Sequence, residues 1–322
     1  MRIFVAGATG AIGSRLVPLL VQAGHTVIGL THRPENAKLV AALGARPVVA
    51  SGLDEAEIHR IVLMARPEVI VHEMTDLRGA VDLKHFDRAF AVTNRLRTQG
   101  TDYLLSAARA AGTRRFIAQS FCGWPYAPVG GPVKDEMDEL EPDPPKEMRR
   151  TLNALRYLES VVGASDRFEG IVLRYGALYG PRTGIFEASS IEQIRQRRLP
   201  VLGSGDGWWS FLHAEDAAKA TAAAVESDGA RGIYNIVDDE PAPVRVWLPE
   251  LARLLGARPP RHIPQLLAHM MAGEHLIQMM TTQRAGSNAK ARVELQWQPD
   301  RSTWREGFAE VIEGSLIRQA VA

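Results

Sequence analysis

Residues 1–16 read MRIFVAGATGAIGSRL: an apolar run from Ile3 to Ala6, then Gly7, Gly10 and Gly13 at even spacing, then a helical pattern. A strand that passes through three bare backbone positions into a helix gives each glycine a task. Gly7 lets the chain turn tightly, Gly10 lets a ligand reach the main chain with no Cβ in the way, and Gly13 lets the helix pack close to the sheet. The helix N-terminus then offers free N–H groups and a positive dipole end to a pyrophosphate, with Ile12 at its start and Thr9 adding a hydroxyl. The same turn can serve only as a tight strand-to-helix connection. Its N-terminal place and its flanking elements favour dinucleotide binding.

Working outward, RIFVAG, TVIGL, ARPVVA, EVIVHE and RRFIAQS read as strands buried on both faces. Between them SRLVPLLVQAG, ENAKLVAALG, DEAEIHRIVLMA and LRTQGTDYLLSAARAAG have helical spacing, several stopped by Gly24, Gly44 and Gly112. This alternation predicts an α/β fold, a Rossmann-like doubly wound parallel sheet. The second half is less regular. FEGIVLRYGALYGP and GIYNIVDDEP read as strands, AEDAAKATAAAVE as a helix, and EPAPVRVWLPELARLLGARPP with HIPQLLAHMMAG as a smaller helical unit. The expected division is a dinucleotide-binding unit over 1–175, joined by 211–237 returning to its sheet, and a smaller C-terminal substrate-binding lobe over 176–210 and 238–322.

Composition narrows the function. The 322 residues carry a formal net charge of +1, with 46% apolar and 23% charged side chains, so nothing draws the chain to nucleic acid or an acidic membrane. A small-molecule partner is expected. One cysteine, Cys122, excludes an internal disulfide and suits a reducing cytoplasm. No basic leader precedes an apolar stretch, and no apolar run approaches the ~20 residues of a spanning helix.

The end of the second strand bears on which dinucleotide binds. A free ribose 2′-hydroxyl usually meets an acid about 20 residues past the glycine turn, whereas a 2′-phosphate needs a cation. Here stand Thr31, His32 and Arg33, with no acid. The planar fork of Arg33 suits a phosphate, so NADP(H) is expected over NAD(H).

These motifs together resemble an extended short-chain dehydrogenase/reductase of the NAD-dependent epimerase/dehydratase family, in an atypical form. GATGAIG at 7–13 is similar to its glycine motif, Asp54 to its adenine-contacting acid, and Asn94 to its helix asparagine. RRFIAQS is similar to the serine-bearing strand, VLRYGALYGP to the strand entering the substrate lobe, FLHAEDAAKA to the histidine and aspartate signature, and NAKARVELQWQPD to the closing motif. The resemblance implies hydride exchange with a nicotinamide, a tyrosine passing the proton, a lysine four residues on lowering its pKa, and a serine holding the substrate. It also implies a homodimer through helices near 95–111 and 149–163.

The proton-passing pair is absent. Four residues beyond Tyr103, Tyr126, Tyr157, Tyr175, Tyr179 and Tyr234 stand Ala107, Gly130, Val161, Tyr179, Thr183 and Asp238, and none is lysine. Counting back from Glu159, the two positions fall on Thr151 and Leu155. Ser120 lies near the serine position, although another register puts Phe121 there; it can orient a carbonyl or tie off the strand. Tyr126 is the best-placed replacement acid, with Lys134 as a weak tuner, and it can equally be a packed aromatic. Trp209 occupies the place of the arginine that grips a diphosphate in nucleotide-sugar members, and Ala177 that of an asparagine. With Trp124 and Tyr175, Trp209 marks a partly apolar substrate face, unless it is core.

Metal chemistry is not expected. HEMTD at 72–76 ends a strand and has Asp76 where a second histidine would stand. Met270, Met271, Met279 and Met280, with His269 and His275, read as adaptable core or a pocket lid. Cys122 reads as packing and QIRQRR as a solvated helix face. The expected activity is an NADP(H)-dependent oxidoreductase or isomerase acting on a small, partly apolar molecule that is not a nucleotide sugar. The competing expectation is a non-catalytic NADP(H)-binding sensor or scaffold.

Overall fold

The computed structural model describes residues 1–77, 85–181, 183–271 and 273–321, with side chains throughout except at 269–271 and 315–321. Seven strands form one parallel sheet: β1 (Arg2–Ala6), β2 (Thr26–Thr31), β3 (Arg46–Val49), β4 (Val69–His72), β5 (Arg115–Phe121), β6 (Glu169–Tyr175) and β7 (Gly232–Ile236). Their order is β7-β6-β5-β4-β1-β2-β3. The chain winds outward from β1 to β3, then crosses back to β4 and winds the other way. The carboxyl ends of β1 and β4 therefore flank the point where the direction reverses, which in such sheets opens a crevice.

Strands buried on both faces need apolar side chains at successive positions, and β1 has them, with Ile3, Phe4, Val5 and Ala6 all at 0% exposure. One face carries α1 (Gly13–Gln22) and α6 (Ala214–Glu226) over Val5, Leu16, Val71, Leu173 and Tyr234. Val40 of α2 (Ala37–Ala42) packs on that same face, and the other face carries α3 (Glu55–Ala65), α4 (Thr101–Ala111) and α5 (Arg149–Gly163), packed over Phe4, Ile70, Leu104, Phe116 and Leu158. A third core lies around Tyr179, Phe211, Trp247, Trp304 and Phe308, where rings meet edge to face, Phe211 against Trp247 at 5.4 Å and 77°.

Two segments differ from the pattern read in the sequence. FEGIVLRYGALYGP is not one strand: β6 ends at Tyr175, and Ala177–Gly180 pairs instead with Phe211–His213 and Thr183–Gly184. Gly176 is the hinge, because a Cβ there would lie 2.8 Å from the Ser210 carbonyl oxygen. The helical stretch before α4 begins with a π-turn at Leu96–Gly100. Among the described residues no helix is long and apolar enough to cross a membrane.

The glycine turn after β1 is fixed by backbone contacts. Gly7 has φ of +100°, and a Cβ on it would lie 2.7 Å from the carbonyl oxygen of Glu73, just past β4. A Cβ on Gly13 would lie 2.2 Å from the Gly7 carbonyl oxygen. At Gly10 the nearest contact is that same oxygen at 3.3 Å, and the residue is exposed. Gly13→Ala should therefore lower the unfolding free energy by at least about 2 kcal/mol, because main chain must move. Gly10→Ala should change it by less than about 1 kcal/mol. Equal losses in urea titrations would refute this division of labour.

Candidate active site

The start of α1 is built to meet an anion. Its N-cap is Ile12, no side chain caps the helix, and no acid stands in its first turn. Thr9 is half-buried, while Gly10 and Ala11 are exposed. Orphan N–H groups at an uncapped helix start, behind a bare Gly10, fit the diphosphate of a dinucleotide. At the end of β2, Thr31 is 3% exposed and its Oγ1 accepts the Arg33 N–H at 3.3 Å, so it shapes the turn that carries the cation. His32 and Arg33 are exposed, and Arg33 Nε donates to His32 Nε2 at 3.4 Å. Asp54 is exposed and caps α3, accepting the Glu57 N–H at 3.1 Å.

Several of the sequence candidates lie around the carboxyl ends of β4 to β6. Ser120, buried, donates from Oγ to Glu159 Oε1 at 2.6 Å. Glu159 also takes Arg174 Nε at 2.8 Å and Nη2 at 2.6 Å. Arg174 Nη1 donates to the Tyr126 hydroxyl at 3.0 Å, which in turn donates to Asn235 Oδ1 at 2.7 Å. Ser120 and Tyr126, the sequence candidates for proton transfer, are thus members of one buried network. Burial pushes the Tyr126 phenol far above its ordinary value. Both hydroxyls are engaged within that network. Lys134 is engaged with Asp138 at 2.8 Å.

The positions where the family pair would stand are packed. Thr151 is fully buried; its Oγ1 donates to Asp87 Oδ1 at 2.6 Å and accepts from Asn94 Nδ2 at 2.9 Å. Asn94 Oδ1 is buried without a partner. Leu155 lies in an apolar cluster with Phe86, Trp124, Met148, Leu152 and Met279, bordered by Phe121 and Trp209. Phe121 stacks on Trp124 at 5.9 Å. Trp209, half-buried, donates from Nε1 to the Met279 carbonyl at 3.0 Å. The structure therefore brings Trp124 and Trp209 to one aromatic wall. Tyr175 goes elsewhere: it packs in the core under α1 and α6 and donates to Glu73 Oε1 at 2.8 Å.

Four polar groups went unassigned in the sequence. Glu73 is 5% exposed, its Oε2 has no partner, and burial raises its carboxyl to about 8. His72 donates from Nε2 to the Leu96 carbonyl at 3.2 Å and accepts the Met74 N–H on Nδ1, so it is neutral, its pKa lowered by burial to about 4. Arg97, on the π-turn, is 5% exposed; its Nε and Nη1 are unpaired, and its guanidinium lies 5.9 Å from the Phe90 centroid. Burial lowers it only to about 10, so it stays charged. A helical bulge is invisible to periodicity, so the sequence does not single out Arg97. His275, on the helix Glu274–Thr281, is 1% exposed. The side chains of His269, Met270 and Met271 lie outside the described residues. Among the described residues no group of three or more His, Cys, Asp or Glu could hold a metal. Burial pushes the Cys122 thiol up to about 12.

Comparison with known proteins agrees with this geometry. Residues 3–237 match the NAD dependent epimerase/dehydratase family. A 3-diazoavenalumate denitrifying reductase from a Streptomyces species is 45% identical over 310 residues, 96% of this chain and 99% of that one. Among solved structures, the UDP-glucose 4-epimerase of Thermotoga maritima superposes with a TM-score of 0.76 at 23% identity over 100% of both chains. The human epimerase family protein SDR39U1, solved with NADPH, gives 0.74 at 19% identity, over 97% of this chain and 99% of that one. The glycine cradle, the sheet order and these matches agree: the chain belongs to the NAD dependent epimerase/dehydratase family and is a nicotinamide-dependent oxidoreductase with its Rossmann fold.

Proposed function

We propose that this chain is an NADP(H)-dependent reductase that removes nitrogen from a small, partly apolar diazo-substituted arene. The observation that carries this reading is the dry packing of Thr151 and Leu155, together with the engaged hydroxyls of Ser120 and Tyr126. Reducing a carbonyl calls for an acid to protonate the developing alkoxide. A diazo group is itself the electron acceptor, and its leaving group is N2, so no side chain need deliver a proton to oxygen. The Streptomyces relative carries such a reaction in its name, and its identity extends over nearly the full length of both chains.

A reduced nicotinamide held by Gly7, Thr9, Gly10, Ile12 and Gly13 would supply hydride, and the net change is arenediazonium + NADPH → arene–H + N2 + NADP+. The protein's own residues do the rest. Arg33 and His32 grip the 2′-phosphate, with Asp54 beside the adenine and Asn94 behind the nicotinamide end. The wall of Trp124 and Trp209 excludes water and takes the arene, in place of a diphosphate clamp. Arg97, a buried cation in no salt bridge among the described residues, sets a positive field near the carboxyl end of β4, which favours an acceptor gaining negative charge. Residues 176–210 and 238–322 form the substrate lobe, the protein works in the cytoplasm, and α4 with α5 supplies a homodimer face.

Glu73 completes the design by staying neutral. Its backbone abuts the glycine turn, and an ionised carboxylate there would repel a bound diphosphate. Burial raises its pKa to about 8 against an ordinary 4.5, so at neutral pH it carries a proton.

Three outcomes are expected. With NADPH and an ortho-hydroxy diazoarene the protein should release one N2 per NADPH oxidised, and simple ketones should give no oxidation above buffer; the reverse pattern, read by headspace mass spectrometry and absorbance at the nicotinamide band, would sink the reading. Calorimetry should show NADPH binding more tightly than NADH, with Arg33→Ala weakening NADPH by about tenfold or more while NADH barely changes. Replacing Glu73 by Gln removes a group whose folded pKa lies above its unfolded one. The wild type should therefore match Glu73→Gln in stability near pH 4.5 and lose ground by up to about 1.4 kcal/mol per pH unit up to pH 8. Parallel stability curves for the two proteins would contradict the buried proton.

A further inference from the structure

The sequence reads QIRQRR as a solvated helix face, and the structure sets its end against a second basic segment. The helix Ala188–Arg195 stops there, and Arg197 turns the chain in the left-handed region with φ of +57°. Its Nε donates to the Pro259 carbonyl at 2.8 Å, 62 positions away. Just beyond, Val201–Leu202 pairs in parallel with His262–Ile263, and the Val201 N–H donates to the Arg261 carbonyl at 2.9 Å. These contacts hold the two segments in fixed relation. Between them lies an open cavity of about 490 Å³, lined by Arg195, Gln196, Arg197 and Arg258. Leu255 and Ala257, also in its wall, pack against the third core.

The charge around this cavity is unbalanced. Its lining holds three guanidinium groups and no acid. Elsewhere exposed arginines take carboxylate partners, Arg60 with Glu57, Arg245 with Asp206, Arg253 with Glu250 and Arg305 with Glu240. Arg195 and Arg258 are exposed and make no hydrogen bond or ion pair among the described residues. The acid nearest to Arg195 in sequence, Glu192, accepts from the Gln196 amide. Cations at helix C-termini complement the dipole, a role that accounts for Arg195 and for Arg253 at the end of Val244–Leu254. It leaves Arg197 and Arg258 unexplained. Three like charges around one concavity repel, and a multivalent anion relieves that repulsion. The volume is that of a small-molecule site. No aromatic ring lines it, so nothing there would stack on a nucleobase or an arene, and recognition falls to charge.

We propose that this cavity is a second ligand site, which binds the di- or triphosphate group of a small phosphorylated molecule through Arg195, Arg197 and Arg258. It shares no residue with the glycine turn, the end of β2 or the aromatic wall, and it does not depend on the reductase reading. The full-length protein, saturated with NADP+ so that the glycine turn is filled, is titrated by calorimetry at low ionic strength with inorganic pyrophosphate and with sulfate. Pyrophosphate should bind, about tenfold or more tightly than sulfate, and weaken as salt is added. Arg195→Gln and Arg258→Gln should each weaken it by about tenfold or more, one charge-assisted contact's worth, and the double variant should abolish it. Because neither side chain holds the fold together, both variants should keep the wild-type thermal midpoint and its affinity for NADP+. Arg167, exposed and outside the lining, is the control, and Arg167→Gln should leave pyrophosphate binding unchanged. Absence of pyrophosphate binding, equal affinity for sulfate, or undiminished binding in the double variant would each overturn the proposal. Equal weakening in Arg167→Gln would mark a general effect of net charge and overturn it too. No turnover is measured, so a failure of nitrogen release would count against the reductase reading alone.

Discussion

A Cβ on Gly13 would sit 2.2 Å from the carbonyl oxygen of Gly7, and one on Gly7 would sit 2.7 Å from that of Glu73. These two close approaches fasten the first helix to the first strand and the first strand's turn to the end of β4. They place an uncapped helix start at the point where the strand order reverses. Every later feature of the site is arranged around that fixed corner. No side chain caps α1, no acid stands in its first turn, and the carboxyl of Glu73, whose backbone meets the glycine turn, is held protonated by burial. Backbone shape and local electrostatics thus favour the same ligand.

Beyond that corner the chain keeps the family's framework and changes its interior. Glu159 and Arg174 form a buried ion pair, both under a tenth exposed, with Ser120 and Tyr126 satisfying their remaining atoms. Removing one partner would strand a charge, so the network is rigid and holds both hydroxyls in place. Where the family's tyrosine and lysine would stand, Thr151 bonds to Asp87 and Asn94, while Leu155 joins Phe86 and Trp124. Asp87 accepts the Arg150 and Thr151 N–H groups at the start of α5, and Leu155 joins a patch of core.

The fold was legible in the sequence because it rests on local signals. β1 to β5 and α6 match the quoted runs closely, since apolar continuity and helical period are read over a few residues. The glycine turn was legible for the same reason. What escaped was long-range. Ser120 and Tyr126 looked available because Glu159, Arg174 and Asn235 reach them across 39, 48 and 109 positions. Tyr175 looked like a substrate contact because strand alternation does not say which face its neighbours close. Arg97 was hidden by a π-turn that rotates it inward. His275 was set aside with its neighbouring methionines as a pocket lid, and its unpaired nitrogens became visible only with Phe86 and Trp124 around it.

The charge state of this interior bears directly on the chemistry proposed. Burial keeps Glu73, His72 and His275 neutral, while Arg97 retains its charge with no salt bridge among the described residues. A phenol acid would work poorly here, because a dry pocket raises its pKa and no lysine lowers it, as Tyr126 and Tyr175 already illustrate. For the nitrogen-releasing reduction proposed above, a fixed positive field and an apolar wall would be enough, because such a substrate carries its own driving force and asks the protein chiefly to bind it and exclude water.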